Sequence, residues 1–368
     1  MRKTLFSVLP LLVFLGPTYA RLQLFFGLNL ASVETAGSRP ASPSERVRAR
    51  IAGARRLLEQ LPADTNAFVT LAAGDDQGRV HLLRLSKQDF LTKGAQVAAV
   101  SSLGEPLKVE VVRPNYVNTA VRVSDAAGRE LQPLVVRYPV ERDGALHEVA
   151  YYTSAHPSVE SDEIVTAGGE YVRARLDEAA ARLSGKGYRV STEVVDVAKR
   201  LCVVEHTDHK RFKTEDPASI FKEVRALYAL NAGDTYRYSV SAAGAGGMVQ
   251  MIPPTYNAVR ERHPEAGLKE DFVEGMRDHS NALEAMLLYM QDTWDTLAGS
   301  DEVTAALASG LATQPELLAA GYNSNPARLP KYLREGGAAW RTLIPEETKM
   351  YLRIYASVEA AVDFKGRS

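Results

Sequence analysis

The sequence predicts an α+β multidomain protein in which a small antiparallel β domain precedes an all-α domain. Over residues 66–154, short runs rich in Val, Leu, Thr and Tyr alternate in hydropathy and are split by turn signals. From Ser161 onward strand signals vanish, and apolar residues recur every three and four positions. The length of 368 residues suits about two domains, at ~150 residues each. The expected division is a signal peptide at 1–20, a linker with a short basic helix at 21–62, a β-rich accessory domain at 63–156 and a helical domain at 157–368.

The elements follow in order. Arg2 and Lys3, an apolar stretch from Thr4 to Gly16, and Pro17-Thr18-Tyr19-Ala20 with small residues at its end have the layout of a secretory signal. An uncleaved anchor is the rival reading, because Leu22, Leu24, Phe25 and Phe26 stay apolar, although Arg21 interrupts the ~20 residues a span requires. The stretch 31–45, rich in Ala, Ser, Gly, Pro and Thr, reads as a linker. Val47, Ile51, Leu57, Leu58 and Leu61 lie among arginines, as in a basic amphipathic helix that meets an anionic surface or packs on the next domain. In the β region, Leu107, Val109 and Val111 alternate with Lys108 and Glu110, and His147, Val149 and Tyr151 with Glu148 and Ala150. Turns are expected at Asp75-Asp76-Gln77-Gly78, Ala127-Gly128 and Asp143-Gly144, which gives a small sandwich or barrel.

Ser161 can cap a helix bearing Ile164, Tyr171, Val172, Leu176 and Leu183, ended by Gly185 and Gly187. Ser191 opens the next one, and Asp216-Pro217 a third that stops at Asn231 to Gly233. Leu283, Met286, Leu287, Met290, Trp294 and Leu297 define a long helix.

Composition removes several function classes. The 44 Lys and Arg nearly cancel the 45 Asp and Glu, so no basic excess asks for nucleic acid. The single cysteine, Cys202, forms no intramolecular disulfide and reads as a small core hydrophobe; with no cysteine after the signal, a lipid anchor there is excluded. No zinc spacing occurs; His206 and His209 could hold a metal, but a polar loop is the simpler reading. No cofactor is expected. Export without lipidation points to the periplasm or envelope of a Gram-negative bacterium.

One carboxylate stands out. Val194, Val197, Ala198, Leu201, Cys202 and Glu205 share a helix face, so Glu205 either lies at the edge of a buried stripe or turns outward at a frayed end. On the first reading, desolvation raises its pKa and makes it a general acid. Downstream come Ser239-Val-Ser241-Ala-Ala-Gly244-Ala245-Gly-Gly247-Met248-Val-Gln250-Met251-Ile-Pro253, then Asp278-His-Ser-Asn281-Ala, Ala320-Gly-Tyr322-Asn323-Ser-Asn-Pro326 and Pro345-Glu-Glu347-Thr348-Lys-Met-Tyr351. In this order the blocks resemble the lytic transglycosylases of the soluble type, which have a lysozyme-like fold and cleave peptidoglycan, over residues 191–359. The resemblance implies that Glu205 is the lone acid/base, that Ser241, Gly244, Gly247, Met248 and Gln250 line the sugar cleft, and that Tyr322, Asn323 and Tyr351 close it. Glycines admit a bulky glycan close to the backbone, Gln250 offers donor and acceptor, and tyrosines present flat faces with polar tips to sugars.

Two departures accompany the likeness. The family usually has Ser directly after the catalytic Glu, where this chain has His206, and a short link to the glycine block, where here 36 positions separate Glu205 from Ser241. The added piece contains a helix at 216–231 that either walls the groove or means that another carboxylate acts. Glu223 lies beside its helix stripe rather than on it, and Asp234 has the look of turn chemistry. Expected partners are peptidoglycan glycan strands, with an envelope protein possible through the β domain. A lysozyme-type hydrolase and a catalytically silent glycan-binding scaffold are the alternatives; product mass separates the first, and absence of glycan release the second.

Overall fold

The computed structural model of the chain describes residues 42–62 and 65–364. The expected signal peptide and the linker up to residue 41 lie outside the described residues. Helix α1 (Pro43–Glu59) starts at a reciprocal cap: Ser42 accepts from the Glu45 amide, and the Glu45 carboxylate accepts from the Ser42 amide at 2.6 Å. Its Ala54 and Leu58 are buried against Ala72, Leu82, Leu134 and Val135. Of the two readings of the basic helix, the structure has the one in which it packs on the next domain, because its apolar stripe has a sheet face to cover.

Seven antiparallel strands follow: β1 (Phe68–Gly74), β2 (Val80–Ser86), β3 (Gln96–Val100), β4 (Pro106–Arg113), β5 (Ala120–Asp125), β6 (Glu130–Arg142) and β7 (Ala145–Tyr152), with a one-turn helix α2 (Lys87–Phe90) after β2. Their order is β2-β1-β6-β5-β4-β3, and β7 pairs with β6. All three expected turns join hairpins, with Gly78, Gly128 and Gly144 at positive φ. Long β6 serves β5 at its start, β1 in its middle and β7 at its end. The sheet curls almost into a barrel, since the Ser102 amide donates to the Leu82 carbonyl at 3.0 Å and draws the end of β3 towards β2. Beside this closure, His81 lies between Asp75 (3.3 Å) and Ser101 (3.2 Å). The Ser101 hydroxyl is buried and accepts from the Leu103 and Glu105 amides, so the row holds a turn and offers no accessible nucleophile.

Leu107, Val109 and Val111 face the core as expected, but β7 differs: Ala150 and Tyr152 are buried on that side. Val149 and Tyr151 point the other way, where Tyr151 packs beneath α1 under Arg55. The end of β7 is covered on both faces, which defeats a reading based on one buried face.

After Tyr152 the described chain contains no further named strand. Ser161 caps α3 (Asp162–Gly185), Ser191 caps α4 (Thr192–Val204) and Asp216 caps α6 (Pro217–Asn231), each through its side-chain oxygen. Between the last two lies α5 (His209–Thr214), so the piece after Glu205 brings two helices rather than one. The remaining helices are α7 (Pro253–Arg262), α8 (Phe272–Arg277), α9 (His279–Ala298), α10 (Asp301–Ala308), α11 (Gln314–Asn323), α12 (Leu329–Gly336) and α13 (Glu346–Ala361). Val194, Val197, Ala198, Leu201 and Cys202 of α4 bury against Leu283, Met286, Leu287 and Met290 of α9 in one cluster. Gly168 lets α3 touch α6: a Cβ there would come within 1.8 Å of the Arg225 carbonyl oxygen.

The two regions share a seam. Leu227 of α6 is buried in the β-domain core. Asn231 exchanges two hydrogen bonds with the Thr153 backbone, at 2.8 and 2.9 Å, and Arg277 pairs with Glu148 at 2.7 Å. No helix among the described residues is long and apolar enough to cross a membrane.

Candidate functional site

The apolar stripe of α4 determines where Glu205 sits. Burial of Leu201 and Cys202 turns the C-cap residue inward, and its amide still donates to the Leu201 carbonyl at 2.9 Å. Glu205 is half-buried and receives the Tyr351 hydroxyl at 2.5 Å, from the first turns of α13. Burial pushes its carboxyl up to about 8; the Tyr351 hydroxyl opposes this and Glu347 adds to it. The negative end of the α4 dipole acts in the same direction as burial.

Beneath Glu205 the tyrosines act as struts. Tyr322, on α11, donates to the Val249 carbonyl at 2.6 Å, and Asn323 accepts from Thr348 at 2.9 Å, tying α11 to α13. Tyr351 is buried and Tyr322 half-buried, and neither they nor Asn323 reach the cavity described below.

The glycine-rich block forms a tight double turn. The Ser241 amide donates to the Ala245 carbonyl, and its hydroxyl accepts from the Ala245 amide at 3.0 Å, while Gly246 and Gly247 donate to Met251 and Ser239. Gly247 has φ of +67°, and a Cβ would fall 2.2 Å from the Met276 carbonyl oxygen, so only glycine fits. Gln250 also lies in the left-handed region, and its Nε2 donates to the Gly247 carbonyl (2.8 Å) and the Ser239 hydroxyl (3.2 Å). That nitrogen braces the turn. Met248 is fully buried, and its contribution is a carbonyl. Ser241 and Gly247 line the cavity; Gly244, Met248 and Gln250 do not.

The cavity occupies about 1020 Å³ along the seam, with Glu205 on its helical side and β4, β6 and the turn after β4 on the other. Four carboxylates line it. Glu141 pairs with Lys87 at 2.7 Å. Glu223 is opposed by burial but held below the usual carboxylate range by Arg211 (2.8 Å) and Arg113 (2.5 Å). Burial likewise opposes ionisation of Asp208, yet the Arg211 and Lys210 amides, which it caps, keep it low. Glu205 meets a hydroxyl and no cation among the described residues. Asp234 lies in a single 3-10 turn away from this lining.

His206 occupies a place of its own. Its ring stacks on Tyr236 with centroids 3.4 Å apart and planes within 1°, and Nε2 donates to the Met248 carbonyl at 3.0 Å. Burial pushes its pKa down to about 3, so the imidazole is neutral, with the proton on Nε2. It ties the end of α4 to the glycine turn. No group of His, Cys, Asp and Glu suited to a metal occurs among the described residues. The wall residues Arg211, Tyr236 and the 116–118 turn are not among those expected from the sequence, since they carry no periodic signal; Pro114-Asn115 is the local feature from which a turn there could have been read. No family model, curated protein or solved structure matches the chain.

Proposed function

We propose that the chain is a peptidoglycan lytic transglycosylase whose helical region is a lysozyme-like domain and whose acid/base is Glu205. What carries the reading is the placement of Glu205, half-buried, bonded to a hydroxyl and to no cation among the described residues, on the wall of a cavity whose other carboxylates are ion-paired or capping; burial favours its neutral form. Two-carboxylate glycosidases need a second free group; substrate-assisted cleavage does not. Glu205 gives its proton to the glycosidic oxygen between N-acetylmuramic acid and N-acetylglucosamine as the C1–O bond breaks, while the muramoyl acetamido oxygen attacks C1. The C6 hydroxyl then displaces that oxygen and passes its proton back to the Glu205 carboxylate, closing a 1,6-anhydro ring without consuming water. The pair α5 and α6 supplies Arg211, Glu223 and Leu227 to the cavity, in keeping with a groove wall. On this reading the chain is exported by its N-terminal segment and works on glycan strands in the envelope.

The test is incubation with purified sacculi beside Glu205→Gln. Soluble anhydro-muropeptides are expected from the wild type alone, one water lighter than a lysozyme's products. Equal release by the variant would refute the assignment of Glu205.

A further inference from the structure

The β domain offers the cavity a feature that the α4 site does not explain. After β4 the chain makes a single 3-10 turn, Tyr116–Asn118. Tyr116 has φ of +45°, a costly conformation for an aromatic residue, and its side chain is 67% exposed. The strain is fixed by its surroundings: buried Thr119 accepts from the Asn115 amide at 2.9 Å and donates to the Tyr116 carbonyl at 2.8 Å, and Asn118 donates to the Asn115 carbonyl at 2.8 Å. Two residues on, the Asn118 Oδ1 is buried and has no protein partner among the described residues. Tyr116 and Asn118 line the same cavity as Glu205.

A strained backbone that displays an aromatic ring to water lowers stability unless a ligand uses the ring, and the Asn118 carboxamide lines the cavity beside it, its Oδ1 buried and its Nδ2 edge the one left for a ligand. We propose that this turn is a saccharide subsite supplied by the β domain: the Tyr116 ring stacks on the apolar face of an N-acetylhexosamine, and the cavity-facing edge of the Asn118 carboxamide binds its hydroxyl or acetamido group. A hydroxyl both donates and accepts, so it satisfies the carboxamide in either orientation. Val240, 72% exposed on the cavity's helical side, adds apolar surface to the same channel. The glycan then spans both domains, and the β domain is half of the binding groove. The inference rests on the glycan reading of the site, and its test separates the two.

In a Glu205→Gln background, which prevents turnover, calorimetric titration with tetra-N-acetylchitotetraose measures binding. Tyr116→Gly is expected to weaken it about five- to tenfold, the loss of one aromatic contact. Tyr116→Phe retains it, and Asn118→Ala weakens it. Because glycine relieves the positive φ, Tyr116→Gly melts at or above its parent, so the lost affinity does not come from unfolding. With Glu205 intact, Tyr116→Ala raises KM for sacculi and leaves kcat in place. Release of anhydro-muropeptides by the wild type, together with unchanged binding and KM in the Tyr116 variants, overturns the subsite and spares the transglycosylase. No binding and no release by any of these proteins overturns both.

Discussion

Ionising Glu205 means placing a charge at the end of α4 where burial opposes it, and this fixes two pH dependences. On the proposed mechanism the protonated acid is the active form, so kcat/KM is expected to fall about tenfold per pH unit above pH 8, read from a pH–rate profile. The stability effect runs in the same direction. Between an ordinary pKa of 4.5 and about 8, the folded state keeps a proton that the unfolded chain releases, so stability declines as pH rises through that window. Glu205→Gln is therefore expected to lose activity by a factor of roughly 10²–10⁴. The same variant gains on the order of 2–4 kcal/mol over wild type at pH 8, with no gain at pH 4, in denaturant titrations. Tyr351→Phe removes the hydroxyl that favours the carboxylate, so the alkaline limb of the rate profile moves to higher pH; a downward move would contradict the contact. The spacing of Val194, Ala198, Leu201 and Glu205 made the inward placement of Glu205 legible, whereas the Tyr351 hydroxyl comes from 146 positions away and no local pattern connects them.

At the scale of elements, close approach matters more than helix propensity. Gly168→Ala would drive a methyl into the Arg225 carbonyl and push α6 off α3, at a cost of about 1–3 kcal/mol by thermal or chemical unfolding. Because α6 also carries Glu223 and Leu227 to the cavity, the same variant is expected to raise KM. His206→Ala leaves the buried Met248 carbonyl without its donor and Tyr236 without its stacking partner, costing about 2 kcal/mol. The proposed activity is expected to show no inflection near pH 6.5 from His206 in a pH–rate profile, since burial pushes its pKa down to about 3. Caps at Ser161, Ser191 and Asp216 and the glycine turns were readable because each is a local hydrogen-bond or φ requirement. The covered face of β7 was not, because it depends on what packs there from elsewhere, and for α1 the pattern left open whether a surface or the next domain covers its stripe.

Across the molecule, the seam makes the β domain and the helical region mutually dependent. Leu227 fills the β core, and Tyr236 packs on both that core and the helical one. One cooperative thermal transition is expected for the whole chain; two well-separated calorimetric peaks would mean that the seam carries little energy. The order of β region then helices could be read from the change of period near residue 160, but a cavity assembled from distant segments could not, as Tyr116 and Glu205 meet it from opposite domains. The parallel, stacked rings of His206 and Tyr236 stand on that boundary, 3.4 Å apart. Magnetic shielding by the tyrosine displaces the imidazole carbon-bound protons upfield, which gives the protein a native spectroscopic gauge: any ligand that pries the two halves apart returns those resonances towards their free-histidine positions, with no label attached.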